Sequence, residues 1–205
     1  MYEKIISDLR QSYDRKVEER DRKEIAPWKD RERKHFLSLV LDEGCSRLLE
    51  VGAGTGLHGK FFQDQGLQVV CVDLSPEMVK RCEEKGLEAY LMDFLHLDFP
   101  KSSFDAVFAM NCLLHVPKDN LPQVLEEIYR ILRGKGLFYW GQYGGVDKDG
   151  VYEGDHYEPK RYFSFITDEW LMILAQELFD VVSFKTIELE EEEEFHFQSL
   201  VLRKD

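Results

Sequence analysis

Residues 48–59 read LLEVGAGTGLHG, an apolar run closed by Glu50 and Val51 and followed by Gly52, Gly54, Gly56 and Gly59. Behind a buried strand, glycines at alternate positions let the backbone turn sharply and bring its amides against a ligand that a side chain would keep away. The spacing is GxGxG. Leu57 stands where a dinucleotide fingerprint GxGxxG places its third glycine, and Gly59 does not restore the pattern, so a nicotinamide reading is weakened. A P-loop is excluded, because GxxxxGK[ST] has no match.

Outward from that turn, β-rich runs alternate with helical segments: SRLLEVG, QVVCVDL, EAYLMDF, FDAVFAMN and GLFYWGQY are separated by LHGKFFQDQ, SPEMVKRCEEK, a shorter connection at HLDFPKS, and LPQVLEEIYRILR. Parallel strands need such crossovers. The pattern predicts a doubly wound α/β fold: a seven-stranded, mostly parallel sheet with helices on both faces. The last two runs, VVSFKTIEL and FHFQSLVLR, are joined by the glutamates of residues 190–194. They leave no room for a helix and predict an antiparallel C-terminal hairpin with a solvated acidic loop. Ser75 is placed to cap the helix that Pro76 opens, and Gly86 and Gly134 to close helices.

Acids recur at predicted strand ends. Asp73 lies about twenty residues beyond the first glycine, where a carboxylate accepts both hydroxyls of an unphosphorylated ribose. Asp93 sits between Met92 and Phe94, apolar walls that suit a purine whose exocyclic amine the carboxylate can take. With Glu50 added, three carboxylates around one pocket repel phosphates and suit a ligand carrying an ammonium and a sulfonium.

At this point the chain resembles the class I S-adenosylmethionine-dependent methyltransferases of the small-molecule type. LLEVGAGTG is similar to that family's first motif, VDLSPEMV to its acidic ribose motif, AYLMDFLHLDFP to its adenine motif, SFDAVFAMNCLLHV to its fourth-strand motif and EEIYRILRGKGLFYW to the approach to the fifth strand. These motifs cover roughly residues 46–142, in family order. The resemblance implies a Rossmann-like sheet of order 3-2-1-4-5-7-6 and S-adenosyl-L-methionine as cofactor, with S-adenosyl-L-homocysteine as product. It implies that Glu50, Gly52, Ala53, Gly54 and Gly56 hold the methionine half, Asp73 with Leu74 and Met78 the ribose side, Met92, Asp93 and Phe94 the adenine, and that Asn111 lies under the cofactor. LRGKG departs from the family at a turn that often carries proline.

Composition is consistent with one globular domain of 205 residues, 43% hydrophobic and 33% charged, with residues 1–40 as an N-terminal helical cap. The net charge of −13 argues against nucleic acid as a partner. The alternating charges of DRKVEERDRKE read as a solvated helix laced with i,i+4 pairs. No run approaches the roughly 18 apolar residues of a membrane span. The charged N-terminus lacks a signal-peptide core, which predicts a cytoplasmic chain with reduced thiols at Cys45, Cys71, Cys82 and Cys112 and no metal site.

For the acceptor, the fourth-strand sequence NCLLH is neither the [DN]PP[YF] motif of base and glutamine amino groups nor a Pro-Cys nucleophile, and this favours a small molecule methylated at O or N over C. His115 is placed where the site opens and is the candidate base, with a positioning role as its alternative. Residues 143–166 are long, aromatic and glycine-punctuated, as expected of a substrate lid, with Tyr143, His156, Tyr157 and Arg161 as polar groups toward substrate. Tyr13 and Trp28 are candidate walls from the N-terminal side. A noncatalytic module that binds S-adenosylmethionine to dock a partner protein is the alternative function.

Overall fold

The computed structural model describes residues 2–189 and 192–205. Three N-terminal helices, α1 (Tyr2–Asp14), α2 (Val17–Asp21) and α3 (Pro27–Asp42), lead into the core elements β1 (Arg47–Val51), α4 (Leu57–Asp64), β2 (Gln68–Asp73), α5 (Pro76–Glu84), β3 (Glu88–Leu91), β4 (Phe104–Met110), α6 (Leu121–Ile131) and β5 (Leu132–Gly144). The chain continues through β6 (Lys148–Val151), β7 (Tyr162–Phe165), α7 (Asp168–Gln176), β8 (Asp180–Leu189) and β9 (Glu192–Arg203). Seven strands form one sheet in the order β3-β2-β1-β4-β5-β9-β8. The first five are parallel, and β9 and β8 add the antiparallel C-terminal hairpin. This is the order 3-2-1-4-5-7-6 expected for the main sheet.

Period-2 alternation sends successive side chains of the central strands into two cores. Leu49, Val51, Val107 and Trp140 face Val124, Leu125 and Ile128 of α6, whereas Leu48, Cys71, Phe108 and Tyr139 face Phe36 and Val40 of α3 and Phe62 of α4. On the second face the Phe108 and Tyr139 rings stack at 4.8 Å, and Phe62 meets Phe108 edge-on at 5.0 Å. Truncating such a fully buried ring costs about 3–5 kcal/mol. The apolar stripe of α6, with Leu121, Val124, Leu125, Ile128 and Ile131 all buried, keeps the helical period that seats a crossover on a sheet.

Punctuation follows the sequence at one helix and departs from it at another. Ser75 accepts from the Met78 amide at 3.1 Å with Pro76 in the first turn, and Gly86 follows α5 at φ +77°. Gly134 does not close α6: the left-handed residue there is Lys135 at φ +66°, because the chain passes straight from Ile131 into β5 and turns two residues later than a helix cap would. The segment 143–166 holds two strands beyond the seven expected, β6 and β7, paired antiparallel as a separate small sheet. Of the acidic hairpin loop, residues 190–191 lie outside the described residues. Among the described residues no helix is long and apolar enough to cross a membrane.

Candidate functional site

The site is built at the carboxyl ends of β1, β2, β3 and β4. Gly52, Gly54 and Gly56 all take left-handed backbones, at φ +67°, +56° and +77°. The turn is tied to the next strand, since the amides of Gly52 and Ala53 donate to the Val72 carbonyl at 2.9 and 3.1 Å. The three glycines do different things. A Cβ on Gly52 would run into the Cys112 side chain, and one on Gly56 would come 2.7 Å from Leu87. On Gly54 the nearest atom would be an Arg20 nitrogen at 3.8 Å, so Gly54 is the position that faces open space. Gly59, outside the fingerprint spacing, is a fourth close approach: its Cβ would stand 2.6 Å from Glu50 Oε2 and 2.8 Å from Cys71 Sγ.

Asp73 is buried and accepts from the amides of Gly54 at 2.8 Å and Ser75 at 2.9 Å. Burial raises its pKa, and those two amides offset part of the rise. Glu50 lies behind the glycine turn, 2% exposed, with the Cys71 thiol donating to it at 3.6 Å. Burial pushes its carboxyl up to about 8 against the opposing pull of the Gly59 amide and that thiol. Leu74 is half-buried at the strand end, and Met78 is wholly buried beneath it. Asp93 accepts from the Leu95 amide at 3.0 Å and from the phenol of Tyr2 at 2.6 Å, both on Oδ1. Met92 and Phe94 flank it, half-buried against the core, and the Phe94 ring comes within 3.3 Å of where a Cβ on Gly52 would be. Asn111 holds φ +57°, and its Oδ1 is buried without a hydrogen-bond partner among the described residues.

His115 is buried, with both ring nitrogens engaged. Nδ1 lies 2.7 Å from the Tyr162 carbonyl and so carries the proton, which leaves Nε2 to accept from the Tyr13 phenol at 2.7 Å. Burial and the Arg161 charge push the imidazole down to about 3, so it stays neutral. Arg161 grips Asp155 with Nε and Nη2, both at 2.9 Å, donates to the Tyr13 oxygen at 3.1 Å and stacks 3.7 Å over the Tyr157 ring. Tyr157 is buried in that stack, whereas His156 is exposed. Tyr143, His156 and Arg161, with Trp28, line a groove of about 1130 Å³, and Tyr157 stands outside it.

The N-terminal helices contact the candidate site. Tyr2 reaches Asp93, Arg10 donates to the Leu74 carbonyl at 3.0 Å, and Asp14 takes the Ser75 hydroxyl. The charges of DRKVEERDRKE form few i,i+4 pairs and instead dock the segment onto α5, where Arg81 pairs with Glu18 and Lys85 with Asp21. Sequence reasoning missed Tyr2, Arg20, Lys29 and Asp155. A bare tyrosine or a charge in an alternating run carries no signal of what it packs against; Asp155, six residues before Arg161, was the one recoverable partner.

A family profile described as a methyltransferase domain matches residues 49–140. An uncharacterized methyltransferase of Schizosaccharomyces pombe is 36% identical over 110 residues, 49% of this chain and 42% of that protein. A ubiquinone biosynthesis O-methyltransferase of Xanthomonas oryzae is 32% identical over 111 residues, 51% of this chain and 46% of that protein. The chain therefore spans less than half the length of these curated relatives. In fold it is similar to a 1,6-didemethyltoxoflavin-N1-methyltransferase of Burkholderia thailandensis, solved with its substrate and S-adenosylhomocysteine, at a TM-score of 0.73 and 22% identity over 99% of this chain and 88% of that one. It is also similar to the N-methyltransferase NodS of Bradyrhizobium japonicum, at a TM-score of 0.70 and 15% identity over 95% and 98% of the two chains. The sheet order, the glycine turn and Asp73 at the end of β2 thus accompany a methyltransferase-domain match over residues 49–140 and a fold shared with these methyltransferases.

Proposed function

We propose that the protein transfers a methyl group from S-adenosyl-L-methionine to a small-molecule acceptor, at oxygen or nitrogen. The observation that carries this is the Asn111 side chain, whose Oδ1 is buried and unpartnered among the described residues, beside a glycine turn whose open position is Gly54. A buried acceptor without a donor is costly by about 1–3 kcal/mol, and an ammonium on the ligand supplies the missing donor. The residues fit the cofactor. Asn111 and the turn at Gly52, Ala53 and Gly54 take the methionine half, with Gly56 and Glu50 supporting the turn from behind; Asp73 beside Leu74 and Met78 takes the ribose, and Asp93 with Met92 and Phe94 the adenine. When bound, the sulfonium supplies an electrophilic methyl carbon for in-line displacement, with a neutral thioether as leaving group.

The chain's own work is then positioning and exclusion of water, which can supply much of the rate of such a displacement. Tyr143, His156 and Arg161 line the acceptor groove, and Tyr157 supports Arg161 from beneath. We assign His115 to positioning: a neutral imidazole whose cation is disfavoured by burial and by Arg161 is a poor proton acceptor, and its two hydrogen bonds instead fix Tyr13 to the lid strand. The similar proteins include O- and N-methyltransferases and also sterol 24-C-methyltransferases, so the preference for oxygen or nitrogen rests on the fourth-strand sequence NCLLH. Four free thiols support a reducing, cytoplasmic setting.

Asp73→Ala tests the reading by calorimetry with S-adenosylmethionine. Loss of the charge-assisted bonds to the ribose, roughly 1.5–3 kcal/mol each, should weaken binding at least tenfold with the fold retained. An unchanged dissociation constant would remove Asp73 from the site and the functional reading with it.

A further inference from the structure

In a chain of net charge −13, the candidate cofactor site is itself acidic, with Glu50, Asp73 and Asp93 at or just past the ends of β1, β2 and β3. Such a site suits an ammonium and a sulfonium. The methionine half of the cofactor also carries a carboxylate, which the three acids repel, so its binding calls for a cation close to the glycine turn.

Arg20, in α2, stands there. Its Nη2 lies 3.8 Å from where a Cβ on Gly54 would be, at the open position of the turn. The guanidinium is half-buried and has no ion pair among the described residues. Its Nη1 donates to the Tyr157 phenol at 3.3 Å, and its charge lies 5.0 Å from the centre of the Tyr13 ring. The acids beside it on α2 are engaged elsewhere: Glu18 with Arg81, Glu19 with Lys16 and Asp21 with Lys85. Asp73 feels the Arg20 charge, but each of its oxygens already accepts an amide, from Gly54 or from Ser75. A guanidinium withdrawn from water without an anion is unfavourable, and the two rings orient it without neutralising it. Lys29 is the rival cation. Burial, then the charges of Lys23 and Arg20, push it down to about 8, but its ammonium lies against the Trp28 and Tyr143 rings, at 5.2 and 5.6 Å, whereas Arg20 reaches the turn.

We propose that Arg20 binds the carboxylate of the cofactor's methionine half and makes the site select the intact amino acid over its decarboxylated form; this rests on the reading of the chain as a methyltransferase. A guanidinium presents fixed N–H donors that match a carboxylate, and the charge offsets the repulsion from the three acids. Because Tyr13 and Tyr157 hold the side chain in place before the ligand arrives, little rotamer entropy is lost on binding.

The test is calorimetry on the full chain, with no turnover required. The probes are S-adenosylhomocysteine and its decarboxylated analogue, which keeps the adenine, ribose, thioether and amine. The wild type should bind S-adenosylhomocysteine about 10–100-fold tighter than the analogue. Arg20→Met should bind the two alike, by losing affinity for S-adenosylhomocysteine and little for the analogue. Arg20→Lys should restore part of the preference, and Lys29→Met should keep it in full. Equal affinities in the wild type, or a preference that persists in Arg20→Met, overturn the proposal. So does a parallel loss of affinity for both ligands in Arg20→Met, which would mean that Arg20 acts through Asp73 or the packing of α2. A preference lost in Lys29→Met also overturns it and assigns the carboxylate to Lys29. Failure of the methyltransferase reading itself would show separately, as wild-type affinity for S-adenosylmethionine in Asp73→Ala.

Discussion

Tyr13 and His115, 102 positions apart in sequence, meet through a 2.7 Å hydrogen bond that joins the N-terminal helices to the exit of the fourth strand. The same imidazole holds the segment 143–166 through the Tyr162 carbonyl, and Arg161 of that segment reaches the same phenol oxygen. The N-terminal helices, the main sheet and the segment 143–166 are thus tied at one point beside the groove that Arg161 lines.

The first prediction concerns that point. His115→Gln should keep most of the methyl-transfer rate and leave the pH profile unchanged, because an imidazole near 3 has no limb in the neutral range to lose. His115→Ala should raise KM for the acceptor by releasing Tyr13. A general base would instead lose about 10²–10⁴-fold in turnover in the Gln variant. Stability carries the same sign: a histidine whose folded pKa lies below its unfolded value of about 6.5 contributes fully above 6.5 and progressively less as pH falls toward 3. Denaturation of His115→Gln should therefore show a shallower loss over that window than the wild type.

The second concerns Gly54, inside the glycine motif, and Gly59, just beyond it. Gly59→Ala should lower stability by about 1–3 kcal/mol, although alanine is the better helix former, because the new methyl presses on Glu50 and Cys71. Gly54→Ala, with no atom closer than 3.8 Å among the described residues but a left-handed backbone at φ +56° that costs alanine about 1–2 kcal/mol, should keep the fold and lose cofactor affinity, which Gly59→Ala should not. Urea denaturation and calorimetry on both variants check the split; comparable losses of both quantities in each would refute it.

Legibility in the sequence follows the range of the interaction. The turn at Gly52, Gly54 and Gly56 and the acid at Asp73 were readable because strand, turn and acid sit at fixed local spacing. The β6–β7 pair was not, since KDGV shows no apolar alternation and gains its place only by pairing with YFSF. Tyr2 on Asp93 spans 91 positions and Arg20 on Tyr157 spans 137, so both depend on how a charged helix docks, which periodicity does not encode. Gly134 was misread because a glycine after a helix usually caps it, and here the strand begins first.

The third prediction concerns the lid. Asp155 and Arg161 form a pair with side chains only 2% and 12% exposed, and removing one partner from a buried pair costs about 3–5 kcal/mol. Asp155→Asn should speed amide exchange across residues 150–163 and raise KM for the acceptor, with S-adenosylhomocysteine affinity unchanged. Burial pushes the Asp155 carboxyl up, but the Arg161 side chain and amide outweigh it and hold it below the usual range. The wild-type lid should consequently stay closed above about pH 4 and loosen only in stronger acid. Unaltered exchange in Asp155→Asn would show that the pair does not hold the segment.

The last prediction concerns Glu50, which burial raises to about 8 while Gly59, Cys71 and Arg33 oppose and Asp73 adds to the rise. In the ligand-free protein at pH 7 it is mostly protonated. A ligand bringing an ammonium and a sulfonium to the turn favours the carboxylate, so binding of S-adenosylmethionine at pH 7 should release close to one proton, and at pH 9 close to none. Calorimetry in phosphate and in Tris reads this as a buffer-dependent enthalpy, run in parallel on Lys29→Met because a lysine near 8 takes up a proton as an anion approaches. Glu50→Gln should abolish the release. It should also stabilise the ligand-free protein at pH 8–9 but little near pH 4, since a carboxyl whose folded pKa is raised contributes its full stability below the unfolded value and loses it as pH rises through about 8. Identical enthalpies in the two buffers at pH 7, in both the wild type and Lys29→Met, would mean that Glu50 does not sense the cofactor, and would reduce its role to packing beneath Gly59.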